Sequence, residues 1–302
     1  MSPHITVLPA STQAGAQTIR FLLSSDLKPL VRGIYRNPSK APAEFTNNPN
    51  FEAVQGDVAT VTSDLDFSGS DAVLYVAPPT WDDDVDPDEY SHRTASRVKD
   101  AVKKHGVGRV VIQSVVGAHH DKDEIGMIRL NHITDEILED AAPEVVIARP
   151  GYYFQFWAAA LETVQQEPAW FESPFPPEDF KIPMVSVKDV GEYLARALLA
   201  DSIDPDARDV KLFGPRHYSP LDVKEAIEAA TGKKAELRVV PVDGLAEYWA
   251  KSYPAVHVPD FVTFIRALLP GGVIAQDYAD GPDSVWTRTE LVDDLREMAR
   301  RE

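Results

Sequence analysis

Hydrophobic positions along the first half of the chain alternate between two periods. Residues 5–8 are a short apolar run, the pattern of a parallel strand buried on both faces. Ile19, Leu22, Leu23 and Leu27 then recur at helical spacing, which predicts a helix over 15–27. Strands follow over 30–36, 51–57 and 71–77, the last stopped by Pro78-Pro79. A helix over 91–105 turns Ala95, Val98, Ala101 and Val102 inward and ends at Gly106. A fifth strand (109–115), a helix (130–138) and a sixth strand (145–149) complete the series. Strands and helices in this rhythm predict an α/β fold, a doubly wound, Rossmann-like parallel sheet with right-handed crossovers.

After Pro150 the pattern changes. Tyr152, Tyr153, Phe154, Phe156, Trp157, Trp170, Phe171, Phe175 and Phe180 crowd together among prolines. A helix up to Leu199 and a strand over 210–213 follow. Ser219 and Pro220 then open another helix as N-cap and first-turn residue. A late strand over 236–242 precedes a mostly helical remainder. The expected organisation is a dinucleotide-binding-type domain over 1–150, to which 183–200 and 208–215 return. A smaller, mostly helical substrate lobe is expected over 151–302, with a cleft between it and the carboxyl edge of the sheet.

Composition narrows the function classes. A net charge of −18 argues against a nucleic-acid footprint or an anionic membrane partner. The absence of cysteine excludes disulfides, thiolate metal sites and a cysteine nucleophile. No apolar run reaches membrane-spanning length, and Met1 is followed by Ser2-Pro3-His4 and a strand rather than a leader pattern. The expectation is a cytoplasmic protein.

The turn after the first strand is where this fold places its glycine-rich phosphate loop. On a G-x-x-G-x-x-G pattern, Pro9 stands at the first glycine, Thr12 at the second and Gly15 at the third. Pro9 lacks an amide donor, and Thr12 brings a branched side chain where glycine would lie against phosphate. Both are expected to weaken nucleotide binding, whereas Gly15 serves helix–strand packing.

Several blocks in order carry a family resemblance. They are Val31-Arg32-Gly33-Ile34-Tyr35-Arg36-Asn37-Pro38-Ser39-Lys40, Val54-Gln55-Gly56-Asp57-Val58, Asp71-Ala72-Val73 leading to Ala77-Pro78-Pro79, Gly106-Val107-Gly108-Arg109-Val110-Val111-Ile112-Gln113-Ser114, and Ala148-Arg149-Pro150-Gly151-Tyr152-Tyr153. Ile182-Pro183-Met184-Val185-Ser186-Val187-Lys188-Asp189-Val190 and Leu212-Phe213-Gly214-Pro215 continue them. Together they resemble the NmrA-like family of atypical short-chain dehydrogenases over nearly the whole chain. The resemblance implies NADP(H), with Arg36, helped by Lys40, on the ribose 2′-phosphate. It also implies Asp57 near adenine and Ala77 among the cofactor contacts. A solvated arginine and a turn-capping aspartate are the plain alternatives for Arg36 and Asp57.

The same resemblance sets the catalytic expectation. Short-chain dehydrogenases use a tyrosine four residues before a lysine as a proton donor and its tuner. Counting back from Arg149-Pro150 puts Met127 and Asn131 at those two places, and neither does that chemistry. A shifted register would offer His132. Other candidates are Ser114, at the carboxyl end of the fifth strand, and His119-His120 on the loop after it, as general acid or base. As a metal site the histidine pair is weak, because adjacent histidines point apart and no further ligand is evident. Trp81, Tyr152, Tyr153, Phe154 and Trp157 could line an aromatic wall for a flat apolar substrate; ordinary core is the alternative. The acidic run 82–89 reads as a solvated loop or a lid. Three functions stay open. The first is an enzyme acting on a small hydrophobic metabolite by cyclase, isomerase or dehydratase-type chemistry with the cofactor weakened or lost. The others are an NADP(H)-dependent reductase and a ligand- or redox-sensing regulator.

Overall fold

Each apolar run of the first half becomes a strand, and each amphipathic segment between them a helix, in a computed structural model that describes residues 2–60 and 64–300. Strand β1 (His4–Leu8) leads to helix α1 (Gln13–Ser24) and back to β2 (Leu30–Tyr35). Then come α2 (Ala43–Thr46), β3 (Phe51–Gln55), β4 (Ala72–Val76), α3 (Pro87–His105) and β5 (Arg109–Gln113). Helix α4 (Arg129–Leu138) and β6 (Glu144–Pro150) close this series. The second half holds β7 (Tyr152–Tyr153), α5 (Ala158–Thr163), β8 (Trp170–Ser173), β9 (Ile182–Val185) and α6 (Val187–Leu199). It continues with β10 (Asp209–Phe213), β11 (His217–Tyr218), α7 (Pro220–Thr231), β12 (Glu236–Val239) and α8 (Leu245–Ala250). Helix α9 (Val258–Leu268), β13 (Ser284–Trp286) and α10 (Leu291–Ala299) end it.

One parallel sheet of eight strands runs in the order β13-β10-β6-β5-β4-β1-β2-β3. The order reverses between β1 and β4, which is the switch point where doubly wound folds open a ligand crevice at the carboxyl ends of their strands. Pro9 follows β1 and Ala77 follows β4, so these two positions flank that point. Two smaller sheets have the orders β11-β9-β7 and β12-β8.

The chain divides into two compact units. One comprises the chain through Val115, Leu130–Arg149 and Val190–Val210; the other Val116–Arg129, Pro150–Asp189 and the chain from Lys211 on. In the first, Leu8, Val73, Tyr75, Val110 and Ile112 from the strands meet Val98 and Val102 of α3 and Leu138 of α4 in one core. Each such side chain, fully buried, contributes about 1.5–3 kcal/mol of hydrophobic stabilisation before entropy is counted.

Two local features differ from the sequence reading. The acidic run is partly helical: Asp86 caps α3 by accepting from the Glu89 amide, and Pro87 opens the first turn. The C-terminal remainder also supplies a strand, since β13 pairs with β10 through Lys211–Ser284, Leu212–Val285 and Phe213–Trp286. Three residues are too few to show a period.

Candidate functional site

The turn between β1 and α1 is closed by Thr12. Its hydroxyl donates to the Pro9 carbonyl at 3.1 Å and accepts from the Gly15 amide at 3.0 Å, making Thr12 the N-cap of α1. The branched side chain therefore folds back into the loop. Its neighbours Ser11 and Gln13 are the exposed residues of the turn. Gly15 is required by this closure: a Cβ there would lie 2.7 Å from the Thr12 hydroxyl and 2.8 Å from the Pro9 carbonyl.

Arg36 directly follows β2 and is exposed, as is Lys40, and neither makes an ion pair among the described residues. Asp57 is engaged locally, accepting from the Ala59 amide at 3.0 Å and the Thr60 hydroxyl at 2.9 Å. Arg36 and Asp57 both act on Tyr90, whose phenol is held above its ordinary range chiefly by burial, then by the Asp57 charge, against the opposing pull of Arg36 and Arg93. Ala77 is half-buried against the core of this unit, and Trp81 is 45% exposed.

The carboxyl end of β5 carries a buried ionic network. Ser114, fully buried, donates to Asp135 at 2.7 Å. Arg149 donates to the same Asp135 oxygen at 2.7 Å and grips Asp209 through two bonds of 2.7 and 2.9 Å. Burial pushes the Asp135 carboxyl up to about 6 against the pull of Arg149 and Ser114. The Ser114 hydroxyl is thus committed to the fold's interior. Asn131 is half-buried on α4, and its side chain has no hydrogen bond among the described residues. His132 faces Glu136 one turn on at 3.4 Å.

In the other unit the two adjacent histidines do not point apart. The rings of His119 and His120 lie 4.2 Å apart, tilted by 35°. Both turn their Nε2 atoms to Asp277, at 3.4 and 2.9 Å. The backbone explains the departure. Gly117, at φ 92°, turns the loop tightly onto Ile274, where a Cβ would sit 2.5 Å from the isoleucine side chain. The His120 amide then donates to the Gly117 carbonyl at 3.1 Å. Burial disfavours the Asp277 carboxylate, but bonds and charge from both histidines outweigh it and hold its pKa below the ordinary value. Asp277 stands 157 residues from His120. No local sequence signal joins them.

The aromatic stretch packs largely on itself. Phe154 and Trp157 are buried, with the Trp157 indole N–H directed to the Met184 sulfur at 3.4 Å. Tyr152 sits between Phe156 and Phe175, with ring centroids 4.9 and 5.0 Å away. Tyr153 stacks on Phe156 and buries a hydroxyl that has no hydrogen-bond partner among the described residues. Sequence reading passed over a second aromatic group in the same unit. His217 stacks on Trp286 at 5.3 Å, between Phe213 and Tyr278. Burial, then Lys181, lowers the pKa of His217. Three of its members come from separate strands and Tyr278 from a short helical turn, which hides the group from any window of sequence.

The model of the NmrA-like family matches residues 1–264. No match is found among curated proteins. Among solved structures the chain resembles Citrobacter sp. triphenylmethane reductase complexed with NADP(H), at 14% identity, 99% coverage of both chains and TM-score 0.72. It also resembles the NADPH-dependent quinone oxidoreductase of Escherichia coli complexed with NADPH, at 16% identity, 97% and 99% coverage and TM-score 0.70. NmrA, a negative transcriptional regulator, aligns at 17% identity, 100% and 97% coverage and TM-score 0.66. At these identities the likeness is one of fold.

Proposed function

The chain belongs to the NmrA-like family, and from that membership we propose that it is an NADP(H)-holding enzyme for a small apolar molecule, working without a tyrosine–lysine proton relay. The observation that carries this reading is the inward fold of Thr12. With its hydroxyl bonded to the Pro9 carbonyl and the Gly15 amide, the side chain folds into the loop and takes up one first-turn amide as N-cap, leaving those of Gln13 and Ala14 for a pyrophosphate. The residues present therefore fit the nucleotide. The turn 9–15 would take the pyrophosphate, and Arg36 and Lys40, exposed and without an ion pair among the described residues, would take the 2′-phosphate.

Bound NADPH would supply a hydride and leave as NADP⁺. The chain's own share is to hold and orient. Met127 cannot move a proton, and the Asn131 amide can donate a hydrogen bond but not an acid proton. The substrate that suits this chain is already electron-poor, as a quinone or a cationic dye is, and takes a hydride without a protein acid. A second reading is favoured by Pro9, which removes an amide from the phosphate side of the loop. In it the scaffold runs a non-redox reaction of cyclase, isomerase or dehydratase type.

Calorimetry with NADPH, NADP⁺ and NADH on wild type and Arg36→Ala separates the two. NADPH is expected to bind more tightly than NADH, with that preference falling about tenfold or more in the variant. No heat with any of these nucleotides at millimolar concentration overturns the first reading and leaves the second. If NADPH binds but is not consumed with a panel of quinones, its role as hydride donor to such acceptors is excluded.

A further inference from the structure

We propose that His119, His120 and Asp277 form a binding site for a first-row divalent cation of the zinc type, with open coordination positions toward solvent. The inference is independent of nucleotide binding.

Donor geometry comes first. The ligand-capable atoms of the three side chains all lie within 4.8 Å of one another. The two imidazole-to-carboxylate separations are 2.9 and 3.4 Å. A zinc ion sits about 2.0–2.2 Å from imidazole nitrogen and carboxylate oxygen, which spaces neighbouring donors about 3 Å apart. Two imidazole nitrogens and one carboxylate are a donor set for Zn²⁺, Co²⁺, Ni²⁺ or Fe²⁺ rather than for calcium or magnesium, which prefer oxygen.

The scaffold is built to hold this arrangement. Consecutive residues do not ordinarily bring two rings to 4.2 Å on a common partner. Here the turn at Gly117, packed on Ile274, sets the loop against the segment that carries Asp277. Tyr278, next in the chain, fixes that segment by donating from its hydroxyl to the Leu268 carbonyl at 2.8 Å. Exposure is graded across the three ligands: 13% for the Asp277 side chain, 21% for His120 and 45% for His119. One flank is anchored and the other is open. Three protein ligands with an open side describe a cation that can also take water or a substrate oxygen. The chain has no cysteine, so no thiolate competes for the metal.

The test is zinc calorimetry on the untagged full chain after chelator treatment, with cobalt(II) as a spectroscopic probe. Wild type is expected to bind one equivalent of zinc at micromolar or tighter affinity and to give a visible cobalt band. His119→Ala, His120→Ala and Asp277→Asn each are expected to lose more than about tenfold in affinity, together with the band. His92→Ala, on the exposed side of α3, is expected to change neither. Because His119 is nearly half exposed, its variant tests the site in a chain that still folds, which circular dichroism checks. Absence of zinc binding to wild type overturns the proposal, as does binding that all three ligand variants leave unchanged.

Discussion

Against the residue pattern that the family resemblance implies, the turn after β1 and the helix α4 both depart, with opposite physical results. In the turn, the residue at the second glycine position is replaced by one that reproduces a backbone arrangement. Thr12 bonds its own loop and caps α1. In α4, the register implied by the family resemblance puts Asn131 at the lysine position, and no hydrogen bond makes an amide into an ammonium ion. Farther along α4 the polar contacts run inward, with Asp135 accepting from Ser114 and Arg149. A function resting on backbone shape is expected to survive a side-chain change that folds inward, and a function resting on a proton is not.

The comparison breaks most sharply at Arg149. Arg149→Met leaves the Asp135 carboxylate buried without a cation and is expected to lower the unfolding free energy by about 3–5 kcal/mol in urea titrations. A loss under about 1 kcal/mol would mean that the polar groups behind α4 are not structural after all. The next effect is one of pH. The Asp135 carboxyl titrates near 6 in the folded chain, above its ordinary 3.8, so the folded state holds this proton more tightly than the unfolded one. Its contribution is fully present below about pH 4 and is lost as pH rises through about 6, by at most about 3 kcal/mol. Measured against Asp135→Asn, wild-type stability is therefore expected to fall across that window; a difference that stays flat would show Arg149 keeping the carboxylate ionised throughout. The smallest effect sharpens the other side of the comparison. Thr12→Ala is expected to cost about 1 kcal/mol through the lost cap, and Thr12→Gly only a few tenths. Neither is expected to change NADPH affinity by more than about twofold. A large gain in Thr12→Gly would show that the threonine obstructs the nucleotide.

What was legible in the sequence followed the range of the interaction. The helix opened by Ser219 and Pro220 forms with a full capping box, since Ser219 and Asp222 exchange bonds across one turn. Gly106 ends α3 in the left-handed conformation for the same local reason. The start of α3 was also written locally, in Asp86-Pro87, but the surrounding run of acids hid it. Asp135 carried a weaker signal, an acid among the buried residues Ile133, Thr134 and Leu138 of its helix. The partnership of Asp277 with two histidines far upstream carried none, because only the folded backbone brings those segments together.

The two outer strands of the large sheet bear on how copies of this protein meet. An open strand edge is a row of unpaired amides and carbonyls that an incoming chain can extend. On one side the sheet ends in β13, only three residues long, where the Trp286 indole N–H is turned to Asp280. On the other it ends in β3, where Glu52 stands exposed and ion-paired to Arg32 of the next strand. One border is too short to template a neighbour and the other presents charge. Resistance to strand-by-strand aggregation is thus located at the margins of the sheet, and the net charge of −18 adds repulsion between whole molecules.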